Sequence, residues 1–295
     1  MNLRIGILPI IEHLPVVIAK NEVSYSGKTI KYDLDIYTSW TALEAAFRTK
    51  GVDAAAITLP KALLMAYEGV PLKIVLVLSR NGTALVLNDD SLESLKGKII
   101  GCSGNDTTQL LIFKKFLKDK GLKSGYDTRS ILIPIEKAIS YLKEEKIYGF
   151  CLPEPYGVLA EEAKIAKKII LSKDISPNHI SSVIIIQPEA IENKPGKLRE
   201  WVKSIIKSAE FIEQDEKDSG CRQVAVAQTK ILNIDTKIVI KSLQSPENRV
   251  NFNKLTPDIS EIESIMKNTI EIGILPGTVN ISKLIDNRYI EAEKK

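Results

Sequence analysis

The chain contains little cysteine, little histidine and no long uninterrupted hydrophobic segment. Its 295 residues include three cysteines and two histidines. Cys102, Cys151 and Cys221 form no Cys-x-x-Cys pair and are odd in number, which argues against a disulfide framework. Cys102 and Cys151 lie in or beside apolar strand-like segments, so they are interpreted as small buried residues. No segment reaches the ~18 consecutive apolar residues that a transmembrane helix requires.

The sequence also lacks the motifs of common cofactor and hydrolytic sites. The segment SGNDTT, which begins at Ser103, has neither the Lys-Ser/Thr ending of a P-loop nor the spacing of GxGxxG. No GxSxG, HExxH or zinc-ligand spacing is present. We therefore expect no cofactor and no metal.

Excess charge of either sign is small. The net charge is +4, the isoelectric point is near 8.7, and the charges are spread along the chain. The densest basic cluster, between Lys114 and Lys120, falls on a helical pattern that is typical of a solvated face. Because no basic arm is present, nucleic acid is not an expected partner.

The N-terminal segment does not have the pattern of a secretory signal. Arg4 comes early, and Glu12 and His13 interrupt the apolar run. The strand-like pattern begins at Leu3, so a folded domain is expected from there. Two locations stay open: a cytosolic protein, or one whose leader was removed before this numbering begins.

Short apolar strands alternate with helices over the first two thirds of the chain. The hydrophobic pattern predicts strands at 3–8, 29–37, 52–58, 72–78, 83–87, 98–102, 168–173 and 181–187. From residue 195 onward, helical patterns predominate, at 196–213, 221–232, 236–243 and 259–269. This alternation predicts an α/β fold with mixed, mainly parallel sheets flanked by helices.

A weak internal repeat indicates two lobes of one design. Leu-Pro pairs at Leu59 and Leu152 each join a short apolar strand to a helix, and strand-turn-helix patterns around Gly6 and Gly101 precede them. We predict a first lobe at 1–86, a second at 87–184, and a mostly helical return to the first lobe at 185–295. The chain would then cross between lobes near 85–88 and near 182–187, with a cleft beside this hinge.

Polar residues at the predicted strand ends mark the candidate site. In open α/β sheets, ligands bind beyond the carboxyl ends of the strands, where helix N-termini present free N–H groups. Taken singly, each of these residues has an ordinary structural explanation, but they converge on one predicted cleft. The candidate ligand-binding residues are Glu12, His13, Trp40, Thr41, Thr58, Asn81, Gly82, Ser103, Thr107, Thr108, Glu154 and Tyr156.

Two of these positions carry the most information. Glu12 and His13 stand side by side within the apolar segment LPIIEHLPVVIAK, and we expect them at the cleft end of a helix, where a polar pair meets ligand. Glu154 lies between two prolines, which would hold its carboxylate rigidly at a helix mouth.

Four segments resemble one family of transport proteins. IGILPIIEHLPVVIAK, SWTALEAAFRTKGVDAAAITLP, LSRNGTALVL and GFCLPEPYGVLAEEA are similar to the nitrate/sulfonate/taurine (NMT1/THI5-like) class of substrate-binding proteins of ABC importers. The resemblance covers most of residues 3 to 215. It implies a two-lobed periplasmic-binding-protein-like type II fold that closes on a small solute held at helix N-termini.

The resemblance also bears on the solute. GFCLPEPY is similar to the Gly-Phe-Cys-x-Glu-Pro-Trp segment of nitrate and bicarbonate binders, which makes Glu154 the ligand-side or metal-side carboxylate and puts Tyr156 in place of Trp. In the nitrate binders of this class, Lys stands where Glu154 is found. A carboxylate repels a bare anion, so bicarbonate with a cation, or an organic solute bearing a donor group, is implied instead. Thr108 stands where the class has a ligand-contacting His.

Three functions follow as expectations. The first is a solute-binding component that delivers a small polar or anionic solute (sulfonate, bicarbonate/nitrate-like or pyrimidine-like) to ABC permease subunits. It would act as a monomer, in the periplasm or outside the cell in association with the membrane. The second is a cytosolic enzyme of the pyrimidine-synthesis or chorismate-dehydratase type, with Glu12 or His13 as general base. The third is a sensory domain for the same solutes. No residue constellation demands chemistry, so binding is favoured.

Overall fold

The computed structural model describes residues 2–20, 31–89 and 95–291. Its strands form two separate sheets, one of six strands and one of five, each flanked by helices. We call the parts built on the six-stranded and five-stranded sheets the first and second lobe. Among the described residues, no helix combines the length and the apolar character needed to cross a membrane.

The strands follow the predicted alternation closely. They are β1 (Leu3–Ile7), β2 (Tyr32–Ile36), β3 (Ala54–Thr58), β4 (Lys73–Asn81), β5 (Thr83–Leu87), β6 (Lys98–Cys102), β7 (Thr128–Leu132), β8 (Gly149–Pro153), β9 (Lys168–Leu171), β10 (Ile180–Ile186) and β11 (Val250–Asn251). The first part of the strand predicted at 29–37 lies outside the described residues.

The helices of the first two thirds of the chain are short. They are α1 (Leu14–Lys20), α2 (Trp40–Arg48), α3 (Leu59–Tyr67), α4 (Thr108–Asp119), α5 (Ala138–Lys143), α6 (Tyr156–Glu162), α7 (Ser172–Ile175) and α8 (Pro188–Asn193). The later helices are α9 (Pro195–Ser219), α10 (Arg222–Ala227), α11 (Thr236–Gln244), α12 (Ile259–Glu271), α13 (Ile281–Leu284) and α14 (Arg288–Glu291). A 3-10 helix, Ile11–His13, precedes α1, so the predicted first helix begins as 3-10.

Apart from the edge strand β11 of the first sheet, the two sheets have equivalent strand orders, which agrees with two lobes of one design. In the first lobe the order is β2-β1-β3-β10-β4-β11, and in the second it is β7-β6-β8-β5-β9. β1, β2 and β3 are parallel, as are β6, β7 and β8. Each lobe inserts one antiparallel strand at the same place, β10 in the first and β5 in the second. Both inserted strands begin directly after the chain has crossed between lobes.

The crossings lie earlier than the sequence predicts. β4 ends at Asn81 in the first sheet and β5 begins at Thr83 in the second, so the chain crosses at Gly82 rather than near 85–88. The return runs through α7 and the turn before Ile180, rather than near 182–187. The sequence does not locate the crossings because β5 and β10 are apolar throughout most of their length. The hydrophobic pattern of a buried strand does not show which sheet it belongs to. The lobe boundaries 1–86, 87–184 and 185–295 stay predictions. The assignment of β5 to the second sheet and β10 to the first favours boundaries that lie before each of these strands.

The C-terminal helices pack on both lobes, which corrects the expectation of the first lobe alone. α9 lies against α1, and Trp201 and Ile205 of α9 join a core that includes Leu3 and Ile5. α12 contacts α3 of the first lobe. Ile265 of α12 also packs on the second lobe's core around α4. The C-terminal segment therefore holds the lobes together at the hinge side.

Candidate functional site

The 3-10 helix Ile11–His13 lies at the meeting point of the two lobes. It follows β1 and rests against β4, β10 and β11. The Ile11 amide donates to the Glu154 carbonyl (3.0 Å), the Glu154 amide donates to the Gly82 carbonyl (2.8 Å), and the Gly82 amide donates to the Arg249 carbonyl (2.9 Å). Four separated parts of the chain thus fix the backbone beneath Glu12 and beside the first crossing.

Glu12 is fully buried, and neither of its carboxyl oxygens has a partner among the described residues. Burial raises the pKa of this carboxyl well above its ordinary value. The backbone N–H of Glu12 itself opposes the rise in pKa, and the nearby Glu154 carboxylate adds to it. Gly82 has a φ of +87°, and a Cβ there would lie 2.8 Å from Glu12 Cγ. Glycine at this crossing lets the backbone approach the Glu12 side chain.

His13 is also fully buried, and one of its ring nitrogens, Nε2, has no hydrogen-bond partner among the described residues. Its Nδ1 lies 3.0 Å from the Leu8 amide nitrogen and 3.1 Å from the Leu8 carbonyl oxygen, and its Nε2 has no partner in the described part of the chain. Burial lowers the pKa of His13 to about 3, so the imidazole is neutral near pH 7. The ring meets Trp40 edge-on, with centroids 5.7 Å apart.

Trp40 bridges the two lobes at the start of α2. Its Nε1 donates to Ser103 Oγ of the second lobe over 3.2 Å, and the side chain is 1% exposed. Ser103 in turn approaches Gln109, whose amide donates to Thr83 Oγ1 over 3.3 Å. Ser39 caps α2 by accepting from the Ala42 amide (3.1 Å). Trp40 and Ser103, both predicted for the site, are therefore brought together.

A second bridge between the lobes is ionic. Lys61 of α3 is 4% exposed, and its ammonium lies 2.6 Å from Glu44 of the first lobe and 2.6 Å from Asp106 of the second. A lysine this deeply buried is stable only when paired. Because Lys61 and Asp106 lie on opposite lobes, this pair exists only while the lobes are together.

The Glu154 carboxylate is committed to protein partners. Its Oε1 lies 2.6 Å from Arg249 Nε, and its Oε2 accepts from the Val158 amide (3.1 Å) at the start of α6. Burial raises the pKa of Glu154 and Arg249 opposes that rise. Arg249 also binds Glu161 over 2.7 Å. The resemblance implies a ligand-side carboxylate at this position. In the structure, both oxygens of Glu154 bind protein groups, and the carboxylate anchors Arg249.

Four hydroxyl groups complete the polar interior at this end of the first sheet. Ser182 stands opposite Thr58 and Ser79 in the sheet register. The hydroxyls of these three residues and of Ser181 are buried and without a partner in the part of the chain that the structure describes. Thr58 is the N-cap position of α3, yet its side chain makes no capping bond. These groups can donate or accept, so they suit a polar ligand.

The remaining predicted residues have varied placements. Thr41 is exposed beside Trp40, and Thr107 caps α4 by accepting from the Leu110 amide (3.3 Å). Thr108 Oγ1 donates to the Ser181 carbonyl (2.9 Å) and so connects α4 of the second lobe to β10 of the first. Asn81 donates to the Asn248 carbonyl (2.9 Å), which turns its amide nitrogen toward the C-terminal segment.

Tyr156 lies off the polar interior. It is half-buried and packs against the large core that the two lobes share. Burial raises the pKa of Tyr156 to about 12, with a smaller contribution from Glu136. Its position in the sequence, two residues after Glu154, suggested a place in the cleft, but the first turn of α6 directs the chain into the core.

Two cavities flank Trp40 between the lobes. One of about 260 Å³ is lined by Ser39, Thr41, Ser103 and the 132–136 segment. The other, of about 420 Å³, is lined by Lys61 and the 104–106 turn. Within the described ranges, no group of three or more histidine, cysteine or carboxylate side chains is arranged to hold a metal ion.

Several residues of the site were missed from sequence. Arg249 lies in an ordinary polar context, and nothing local signals its burial. Lys61 is the only charged residue between Asp53 and Glu68, so the sequence does carry a local signal for it. The strand predicted at 181–187 includes Ser181 and Ser182, and two serines ahead of an apolar segment are a recognisable polar strand end. The sequence therefore carries a signal for the two serines and for Lys61, and none for Arg249, whose partners Glu154 and Glu161 are distant in sequence.

Comparison with known proteins gives a consistent result. The family model described as the NMT1-like family matches residues 1–227. The nitrate import ATP-binding protein NrtC of Synechocystis is 24% identical over 233 residues, which are 72% of this chain and 35% of that protein. The chain therefore spans about a third of the length of this curated relative.

Solved structures share the fold across almost the whole chain. The periplasmic nitrate-binding protein NrtA of Synechocystis aligns with a TM-score of 0.86 and 14% identity, covering 99% of this chain and 87% of that one. The zinc-bound ligand-binding component of an ABC-type import system from Staphylococcus aureus aligns with a TM-score of 0.84 and 17% identity, covering 99% and 98%. These likenesses establish the type II periplasmic-binding-protein fold that the resemblance implied.

Proposed function

This chain belongs to the NMT1-like family, and we propose that it is the solute-binding component of an ABC importer. In this proposal a small polar solute lies between the lobes, against Glu12, His13, Trp40 and the hydroxyls around Thr58. The chain then presents the solute to permease subunits on the outer side of the membrane, as a monomer. The relatives bear names of nitrate and bicarbonate import systems and of a periplasmic binding protein, which supports this role.

One observation carries the proposal. A fully buried carboxyl group and a neighbouring imidazole nitrogen, Glu12 and His13 Nε2, have no partner among the described residues, and both lie where the lobes meet. Leaving a buried polar group unpaired costs about 1–3 kcal/mol. A polar solute that completes these hydrogen bonds would remove that cost only while the lobes enclose it.

The contacts between the lobes supply the conformational part. The Trp40–Ser103 and Lys61–Asp106 contacts require closed lobes, and Gly82 provides a backbone pivot between β4 and β5. A solute that binds the closed form better than the open form shifts the population toward closure. Such a closed state is what a permease can distinguish from the empty protein.

The test is a thermal-shift screen of the purified chain against small polar solutes, with mass spectrometry of each mixture afterward. A solute that binds only the folded state stabilises it by about 2.7 kcal/mol at a hundredfold excess over its Kd. We expect a narrow group of solutes to raise the Tm and to be recovered unchanged. Recovery of a converted product would contradict the proposal and favour an enzyme on the same fold.

A further inference from the structure

A cavity of about 120 Å³ lies beside the second crossing between the lobes, apart from the two cavities that flank Trp40. Its walls are α4 of the second lobe, α12, and the turn at 176–180 that leads into β10. Of the candidate cleft residues, Thr108 lines it, and the Thr108 hydroxyl is already bonded to the Ser181 carbonyl. The inference drawn from this cavity is therefore independent of the proposed function.

Contacts at both ends of α12 hold the walls of the cavity together. Near the start of α12, Glu261 pairs with Arg80 of β4 in the first lobe. At its end, the Ile272 carbonyl accepts from Lys114 of α4 over 3.4 Å. Because α12 is joined to the first lobe at one end and to α4 at the other, the space between the two helices is bounded by packed elements on both sides.

The interior of the cavity is mostly apolar. Leu111, Ile112, Ile180, Ile265 and Ile272 line it, so all three walls contribute aliphatic residues. A cavity of roughly 150 Å³ with walls of this kind stays dry and accommodates benzene. At about 120 Å³, the present cavity suits a molecule with one six-membered ring.

The charged residues that line the cavity compensate one another. Lys115 pairs with Asp119 over 2.8 Å, and Lys118 pairs with Glu271 over 2.5 Å. An ion placed among the aliphatic side chains would lose its hydration and gain no free counter-charge from these pairs. The cavity therefore favours a neutral molecule.

One polar side chain among the apolar ones lacks a partner. His179 lines the cavity and is 9% exposed, and neither of its ring nitrogens has a partner in the described part of the chain. Burial lowers the pKa of His179 to about 4, and the nearby Arg80 adds to the shift, so the imidazole is neutral near pH 7. A neutral imidazole has one N–H donor and one acceptor nitrogen, and a hydroxyl group can pair with either.

We propose that this cavity is a second ligand site, which takes a neutral molecule with one six-membered ring and one hydroxyl group, of the phenol class. The ring packs against Leu111, Ile112 and Ile265, and the hydroxyl bonds to His179. Such a molecule buries apolar surface and also supplies the partner that His179 lacks. Water supplies only the partner, and benzene buries only the surface.

Fluorine NMR titration of the full chain with 4-fluorophenol tests the proposal, with fluorobenzene as the analogue that lacks the hydroxyl group. We expect saturable binding of 4-fluorophenol and about tenfold weaker binding of fluorobenzene, because the second probe loses one hydrogen bond to the protein. In His179→Phe, which keeps a ring and removes both nitrogens, the affinity for 4-fluorophenol should fall to that for fluorobenzene.

Asn268→Trp places a large side chain at the cavity from an exposed position of α12 and should weaken the binding of both probes at least tenfold. The matched control is Lys267→Trp, at an exposed position of the same helix that does not line the cavity, which should leave both affinities unaltered. Binding of 4-fluorophenol that survives Asn268→Trp would place the probe elsewhere and overturn the proposal. Absence of saturable binding, or equal affinity of the wild type and His179→Phe for 4-fluorophenol, would also overturn it.

Discussion

At the scale of single residues, both histidines of the chain are buried where the protonated imidazole is disfavoured. His13 and His179 are buried, and burial lowers their pKa values from 6.5 to about 3 and about 4. Arg80, close to His179, adds to the second shift. Neither ring nitrogen of His179 has a partner in the described part of the chain. His179 therefore adds no positive charge beside Arg80 near pH 7.

Replacing His179 with Phe should flatten the dependence of stability on pH. The depressed pKa means that His179 contributes stability above pH 6.5, which is lost as the pH falls through about 4. The loss amounts to about 3 kcal/mol, since one pKa unit corresponds to about 1.4 kcal/mol. Urea unfolding of the wild type and His179→Phe across this window measures it. An equally steep acid decline in the variant would contradict the account.

The residues of the site were predictable in part. Glu12 and His13 were visible because a polar pair inside an apolar segment is conspicuous, and Trp40 because it opens a helix after a strand. The orphaned oxygens of Glu12 were not predictable, because pairing depends on which distant groups reach it. The placements of Thr41, Thr107 and Tyr156 show that position at a strand end does not fix where a side chain points.

At the scale of elements, the segment before and within β11 fastens the second lobe to the first. Arg249 is buried, adjoins the β11–β4 pairing of the first sheet, and binds Glu154 and Glu161 of the second lobe. The Asn81 side chain and the Gly82 amide donate to the Asn248 and Arg249 carbonyls and hold the same segment. The C-terminal part of the chain is thus a structural tie across the hinge.

Removing this tie should cost much stability. Arg249→Met leaves Glu154 buried without its cation, and we expect a loss of about 3–5 kcal/mol in the free energy of unfolding. Adding Glu154→Gln should recover part of the loss, because the unpaired charge is then gone. Arg48→Met is the control: Arg48 pairs with Glu44 and Glu68 near the surface, so we expect less than about 1 kcal/mol.

Urea unfolding of the wild type, Arg249→Met, Glu154→Gln and the variant with both changes gives the coupling energy of this pair. A loss at Arg249 no larger than that at Arg48 would show that the tie is not structural. Sequence could not have led to this pair, since the partners are 95 positions apart. The shared design of the two lobes, by contrast, was predicted from the repeat of strand, Leu-Pro and helix, because both lobes reuse one local pattern. The order of the strands within each sheet was not predicted.

At the scale of the whole molecule, the fold uses one βα design twice. In each lobe, the strand that follows a crossing is inserted into the sheet of that lobe. The order of the sheets is the same, and β5 and β10 occupy equivalent places. Trp40 contacts Ser103, and Lys61 contacts Asp106, across the two lobes. If the solute closes the lobes, as we propose, its affinity includes the free energy of these contacts.

Asp106→Asn should weaken solute binding without touching the solute. The change removes the charge that meets Lys61 across the cleft, and Lys61 keeps Glu44 within its own lobe. We expect about a tenfold loss of affinity, equivalent to about 1.4 kcal/mol, for every solute that binds. Asp119→Asn removes an exposed pair with Lys115 inside the second lobe and is the control. Equal affinities in all three proteins would remove the ion pair from the closing mechanism.

The most direct measurement is the distance between spin labels on opposite lobes, at Ala45→Cys of α2 and Lys137→Cys beside α5, both exposed positions. The solute with the largest thermal shift is added, and a second pair within the first lobe, Ala45→Cys and Glu200→Cys, serves as reference. If the solute closes the cleft, the longer distances between lobes disappear and the reference distance stays unchanged. Binding that leaves the distances between lobes unaltered would contradict the account.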